Sequence, residues 1–161
     1  MPNRSLTTEQ VLNLLAETPQ RIAALSAGLG PNQLRSQTNN DEWSANDVLA
    51  HLRACADVWG GCIIEIVAKE RPVLRAVNPR SWIKQTDYLE LEFQTSLRAF
   101  ATQRAELLAV LESLPPEGWA RAATVTGAGK ILERSVLFYA RWLAGHERPH
   151  VKQVEYIVNG N

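Results

Sequence analysis

No surplus charge of either sign marks this chain, since Lys plus Arg and Asp plus Glu stand at 17 each. A protein that binds nucleic acid or anionic lipid carries a basic excess, so neither is an expected partner. No apolar run is long enough to span a bilayer, and Met1-Pro2-Asn3-Arg4-Ser5 has none of the apolar core of a secretory leader. The expectation is a cytoplasmic protein with no membrane partner. Cysteine is scarce. Cys55 and Cys62 stand seven residues apart in one expected helix, which separates their Cα atoms by about 10 Å. A disulfide requires less than about 7 Å, so they read as reduced thiols. Internal repeats and low-complexity tracts are also missing. With 161 residues, 45% of them apolar and 21% charged, the chain is expected to form a single globular domain over 1–161.

Helical signals dominate. Leu6-Thr7-Thr8-Glu9-Gln10-Val11 opens a first helix, with Thr7 as cap, Gln10 at the capping-box position and Leu6 and Val11 as a hydrophobic staple. Val11, Leu15, Ile22, Leu25 and Leu29 form its stripe; Pro19 predicts a kink or break near Thr18, and Gly28, Gly30 and Pro31 end it. Residues 32–42 are polar and irregular, with one helical turn expected at Pro31 to Leu34. Ser44 caps a second helix, on which His51, Cys55, Val58 and Cys62 share a narrow sector. Gly60 and Gly61 within it predict either close approach of another backbone or a local bend. Arg71-Pro72 closes this helix, and Trp82 in the connection that follows is expected to fold back onto the bundle.

A third helix has Leu89, Phe93, Leu97, Phe100, Leu107 and Leu111 as its seam, with Arg104 at a seam position where a charge needs a partner. One extended stretch is expected at Ala122 to Thr126. Gly127-Ala128-Gly129-Lys130 fails as a phosphate-binding loop, because Thr124 stands where a glycine is required and Ile131 where Ser or Thr holds Mg²⁺. A fourth helix is expected from Ile131 to Val158, with Leu132, Val136, Tyr139, Leu143, His146, His150, Gln153 and Ile157 as its stripe. Four helices with long connections make an all-α bundle.

The chemistry concentrates in the three histidines. His146 and His150 are one turn apart and project from one face, close enough for two ring nitrogens to reach one ion. If the second and fourth helices pack side by side, His51 joins them. Three neutral imidazoles suit Zn²⁺ or Ni²⁺ and leave a position open for water or substrate. The alternative is a pair of partly exposed helix-end histidines and a hydrogen-bonded core histidine.

Trp43-Ser44 followed by Val48-Leu49-Ala50-His51-Leu52 resembles the second-helix motif of the DinB/YfiT-like superfamily. His146-Glu147-Arg148-Pro149-His150-Val151-Lys152-Gln153 is similar to its last-helix pattern, and Trp82-Ile83 and Gly129 fit its spacing. The resemblance covers nearly the whole chain. It implies an up-down-down-up four-helix bundle, often a homodimer, with a divalent metal on His51, His146 and His150. It also implies a small-molecule substrate, as in members that use bacillithiol, mycothiol or glutathione as a low-molecular-weight thiol co-substrate. Glu147 departs from the more usual Asp, and Pro149 from a frequent second histidine.

Several neighbours keep two readings. Asp47 either orients His51 from behind or only serves the helix N-terminus. Glu147 is a general base or a support for the ligands, or else solvated surface. Gln153 bonds a ligand histidine or substrate, or else backbone. Cys55 is a fourth ligand closing the site, a reactive thiol, or a small hydrophobe. Arg104, Tyr139 and Trp142 line the pocket, where Arg104 suits a carboxylate; otherwise Arg104 pairs with Glu90, Glu133 or a second subunit. The functional expectation is a metal-dependent enzyme that activates a thiol or water for transfer to, or hydrolysis of, a small electrophile. The other class is a non-catalytic, dimeric metal- or ligand-binding bundle.

Overall fold

The computed structural model describes residues 6–37 and 42–159; part of the polar stretch expected at 32–42 and the N-terminal pentapeptide lie outside them. Helix α1 (Thr8–Ser26) starts as its sequence dictates: Thr7 Oγ1 accepts the Gln10 amide at 3.1 Å, and Gln10 Oε1 accepts the Thr7 amide at 2.9 Å. It runs unbroken through Pro19, so the break expected near Thr18 does not occur. Proline removes the N–H that would bond the carbonyl four residues back, here Leu15. That carbonyl instead accepts Arg104 Nη1 at 2.9 Å. The gap in the helix ladder is filled from another helix.

After the short α2 (Pro31–Arg35), Ser44 and Asp47 form a reciprocal cap, at 3.0 and 3.1 Å, for α3 (Ala45–Cys55). A π-turn at Ala56–Gly60 then leads without a break into α4 (Gly61–Ala68). The two glycines therefore mark a local irregularity and not a close backbone contact. An added Cβ at Gly60 would lie 3.7 Å from the Leu107 side chain, and at Gly61 nothing lies within 4 Å. Asp57, in the π-turn, anchors the connection beyond it. Its carboxylate accepts Trp82 Nε1 at 3.0 Å, the Tyr88 hydroxyl at 2.5 Å and Gln103 Nε2 at 2.7 Å. This brings Trp82 onto the bundle, as expected, and with it the short α5 (Pro79–Trp82).

Helix α6 (Phe93–Glu112) begins later than its apolar pattern suggested, because the Glu92 carboxylate caps the amides of Gln94 and Thr95; Leu89 is 45% exposed and outside the seam. The largest departure comes before the last helix. Residues expected to open it form a strand, and α7 (Val136–Val158) starts only where Ser135 Oγ accepts the Phe138 amide at 3.0 Å. Three strands make a small sheet in the order β1 (Val73–Arg75), β2 (Ala122–Ala128), β3 (Lys130–Ser135). β1 runs parallel to β2, with Val73 opposite Thr124; β3 is antiparallel, with Leu132 opposite Val125. Register slips between Val125 and Ala128, where Gly127 adopts φ +86°.

The architecture is thus all-α, a bundle of α1, α3 continued by α4, α6 and α7, with the sheet as a minor addition. The core falls into two apolar clusters. One holds Leu15, Cys55, Leu107 and Ala144; the other holds Ile22, Leu52, Phe100 and Val151. Along α6 and α7 the residues between the clusters are Arg104 and Glu147, which are 2% and 0% exposed. Nη1 and Nη2 of Arg104 donate to the two Glu147 oxygens at 2.9 and 2.5 Å. Every hydrogen-bonding group of such a buried pair needs a partner, and the Leu15 carbonyl freed by Pro19 supplies one.

Candidate metal centre

Helices α3 and α7 pack together, and their facing stripes bring His51 and His146 into contact. The two Nε2 atoms stand 3.1 Å apart. The His150 ring centroid lies 4.8 Å from each of the other two imidazoles. His150 Nδ1 bonds Gln153 Oε1 at 2.9 Å; an amide oxygen only accepts, so Nδ1 carries the hydrogen and Nε2 keeps its lone pair. Gln153 therefore bonds a histidine of the cluster and orients its ring. Trp43 stacks on His150 at 6.3 Å and tilts over His51 at 5.3 Å, while Trp59 meets His146 edge-on at 5.1 Å. The two indoles flank the imidazole cluster. Their role escaped the sequence reading, in which Trp43 entered only as part of the second-helix motif and Trp59 not at all.

Electrostatics disfavour the charged form of His51 and His146. Burial pushes the pKa of His51 down to about 4, assisted by His150, His146 and Arg80; burial, His150 and Arg80 do the same for His146, also to about 4. Neutral imidazole is the form that ligates metal. Arg80, at the surface on α5, was not singled out in the sequence, yet its charge reaches both histidines and Cys55. Nothing local to Pro79-Arg80-Ser81 signals this, because the placement depends on Asp57 holding Trp82 and Tyr88.

Other candidates divide. Cys55 Sγ joins the cluster, at 3.5 Å from His51 Nε2 and 3.6 Å from His146 Nε2. Cys62 does not: the π-turn takes it off the shared sector, and it hydrogen-bonds Tyr139. Tyr139 itself is buried, with its hydroxyl pKa raised chiefly by that burial. Trp142 is 45% exposed and packs on Trp59 and Phe138. Asp47 serves the helix N-terminus through its bond to the Ser44 amide. Glu147 is not solvated surface, and Arg104 pairs with Glu147, not with Glu90 or Glu133. One residue past His146, the Glu147 side chain is turned about 100° around the helix, and that direction leads into the core. Ala140, Ala144, Glu147, Val151 and Val154 are buried together, and this 4-3-4-3 spacing is the visible signal.

His51, Cys55 and His146 place donor atoms within 4.8 Å of one another, a spacing that fits one metal ion, while His150 brings its ring to the cluster without joining that donor group. With metal–nitrogen bonds of about 2.05 Å and a tetrahedral angle near 109°, two ligating nitrogens stand about 3.3 Å apart. The His51–His146 separation of 3.1 Å is close to that. Two neutral ring nitrogens facing each other must share either a proton or a cation.

A mostly helical bundle with three histidines converging from its second and last long helices defines the class of protein. The profile of the DinB superfamily matches residues 14–154, and the chain belongs to that family. It is 26% identical over 149 residues to a candidate metal-dependent hydrolase of Bacillus licheniformis, covering 89% of this chain and 82% of the relative. Among solved structures it resembles YfiT of Bacillus subtilis, described as a candidate metal-dependent hydrolase with an unusual four-helix-bundle topology. The TM-score is 0.80 at 15% identity, over 99% of this chain and 91% of that one. At this identity the likeness is one of fold. No helix among the described residues is long and apolar enough to cross a membrane.

Proposed function

We propose that His51, His146 and His150 hold a divalent metal ion, zinc or nickel by the softness of imidazole, and that the chain is a metal-dependent hydrolase or thiol transferase acting on a small electrophile. The observation that carries this reading is the 3.1 Å approach of two ring nitrogens from distant segments, with a third ring beside them already fixed by Gln153. A bound divalent ion supplies a lowered pKa to a coordinated water or thiol and polarisation of the electrophile. The Bacillus licheniformis relative, named for metal-dependent hydrolysis, favours water over a thiol as the attacking group.

The protein's own residues do the rest. Gln153 keeps His150 in the tautomer whose Nε2 is free. Trp43 and Trp59 wall the imidazoles with apolar surface, restricting water. Arg104 is committed to Glu147, and a cation placed to meet a carboxylate on the substrate, or on a thiol co-substrate, is Arg80 at the surface. Metal analysis of purified protein tests the reading. One equivalent of a divalent ion is expected per chain, lost on His51→Ala, together with ester or amide hydrolysis that the variant lacks. Absence of metal from both forms ends it; metal without turnover against a panel of electrophiles, with and without thiols, leaves a binding protein.

A further inference from the structure

Cys55 has no part in a site made of three histidines alone. Its side chain is fully buried one turn after His51, in the apolar cluster that includes Leu15 and Ala144. Donor atoms of His51, Cys55 and His146 all lie within 4.8 Å of one another. More telling is the symmetry: Sγ is 3.5 Å from His51 Nε2 and 3.6 Å from His146 Nε2. With a zinc–sulfur bond of about 2.3 Å and a zinc–nitrogen bond of about 2.05 Å, sulfur and nitrogen on one tetrahedral ion stand about 3.6 Å apart. A thiol serving only as apolar filler has no reason to sit equidistant from two converging ring nitrogens.

We infer that Cys55 ligates the same ion, so that the donor set is one thiolate with the imidazoles of His51, His146 and His150. This rests on the metal reading above and deepens it. On ligation the S–H bond breaks, the proton passes to bulk water and a metal–sulfur bond forms, with no change of oxidation state. Four protein donors would hold the ion more tightly than three, and the soft sulfur would tilt selection toward zinc and away from magnesium or manganese. Cys62, on Tyr139 beyond the π-turn, is the internal control.

Cobalt(II) titration into metal-free, reduced protein tests this. Wild type and Cys62→Ser should develop an intense near-ultraviolet sulfur-to-cobalt charge-transfer band. Cys55→Ser should lose that band and keep the visible d–d absorption of imidazole-bound cobalt. Cobalt uptake by wild type without the charge-transfer band overturns the inference while leaving the three-histidine site standing, as does a band that survives in Cys55→Ser. No cobalt uptake by wild type overturns both. If Cys55→Ser does not fold, X-ray absorption of the zinc-loaded wild type decides the matter, through the presence or absence of a sulfur shell at about 2.3 Å.

Discussion

Replacing Glu147 with leucine removes the carboxylate from a guanidinium that is 2% exposed. The arginine then keeps a full charge in a layer between two apolar clusters, held by the Leu15 carbonyl and the face of the Phe100 ring 4.9 Å away. Breaking a buried pair from one side costs about 3–5 kcal/mol, a large share of the roughly 5–15 kcal/mol that stabilises a domain. For a chain of this length each kcal/mol moves Tm by about 2–4 °C, so Glu147→Leu should melt roughly 6–20 °C lower. Arg104→Met should behave similarly, and in addition strips the Leu15 carbonyl of its donor, at about 1–3 kcal/mol. The double variant should recover most of the loss, because an apolar pair of similar volume replaces buried ions at little cost. Adding Pro19→Ala restores a backbone N–H to Leu15, so the triple variant should exceed the double. Urea unfolding followed by circular dichroism measures all four. A Glu147→Leu effect below about 1 kcal/mol, or single losses that simply add in the double variant, would refute the claim that this pair acts as one buried unit.

The remaining expectations concern the site. In metal-free protein His51 and His146 are depressed to about 4, below the ordinary value of about 6.5. The unfolded chain therefore binds more protons between those limits, and stability should be full above about pH 6.5 and fall as pH drops toward 4. Urea midpoints measured across that range check it, and a His51→Phe, His146→Phe variant should lose most of the slope. Gln153→Leu should weaken zinc binding about 10–100-fold, as loss of a group orienting a ligand histidine does, with little change in the Tm of metal-free protein. Equal affinity by competition titration would remove Gln153 from the site. Arg80→Ala takes away a charge that depresses both histidines, so the imidazole titration midpoints, read by NMR on metal-free protein, should rise; unchanged midpoints would place Arg80 too far away to matter.

Helix existence, most caps and the inward facing of each histidine were legible because they depend on short-range patterns, whereas the meeting of the three stayed conditional on how the helices pack. Thr7 with Gln10 and Ser44 with Asp47 are local signatures, and His51, His146 and His150 sit on regular apolar stripes. The misreadings share one physical cause, competition from partners distant in sequence. Leu132 continues the α7 stripe on paper, but pairing with β2 draws Lys130–Ser135 into the sheet before Ser135 can cap the helix. Cys62 falls in the sector of His51 and Cys55 on a regular helix, yet the π-turn shifts its azimuth. Arg80 and Trp59 gain their places only through tertiary contacts. Glu147 was the most recoverable: its stripe is visible, and what concealed it is the general rule that carboxylates face water.

Pro19 does more than tolerate its helix. By leaving Leu15 without an internal partner, it creates a single notch along α1 into which the end of Arg104 fits, and Arg104 in turn grips the residue next to His146. Sliding α1 along its neighbours by one turn would vacate that notch and strand the guanidinium against an already occupied carbonyl. The helices are thus indexed like a key in a lock. The depth at which the imidazoles stand is fixed by a missing hydrogen atom at the opposite end of the sequence.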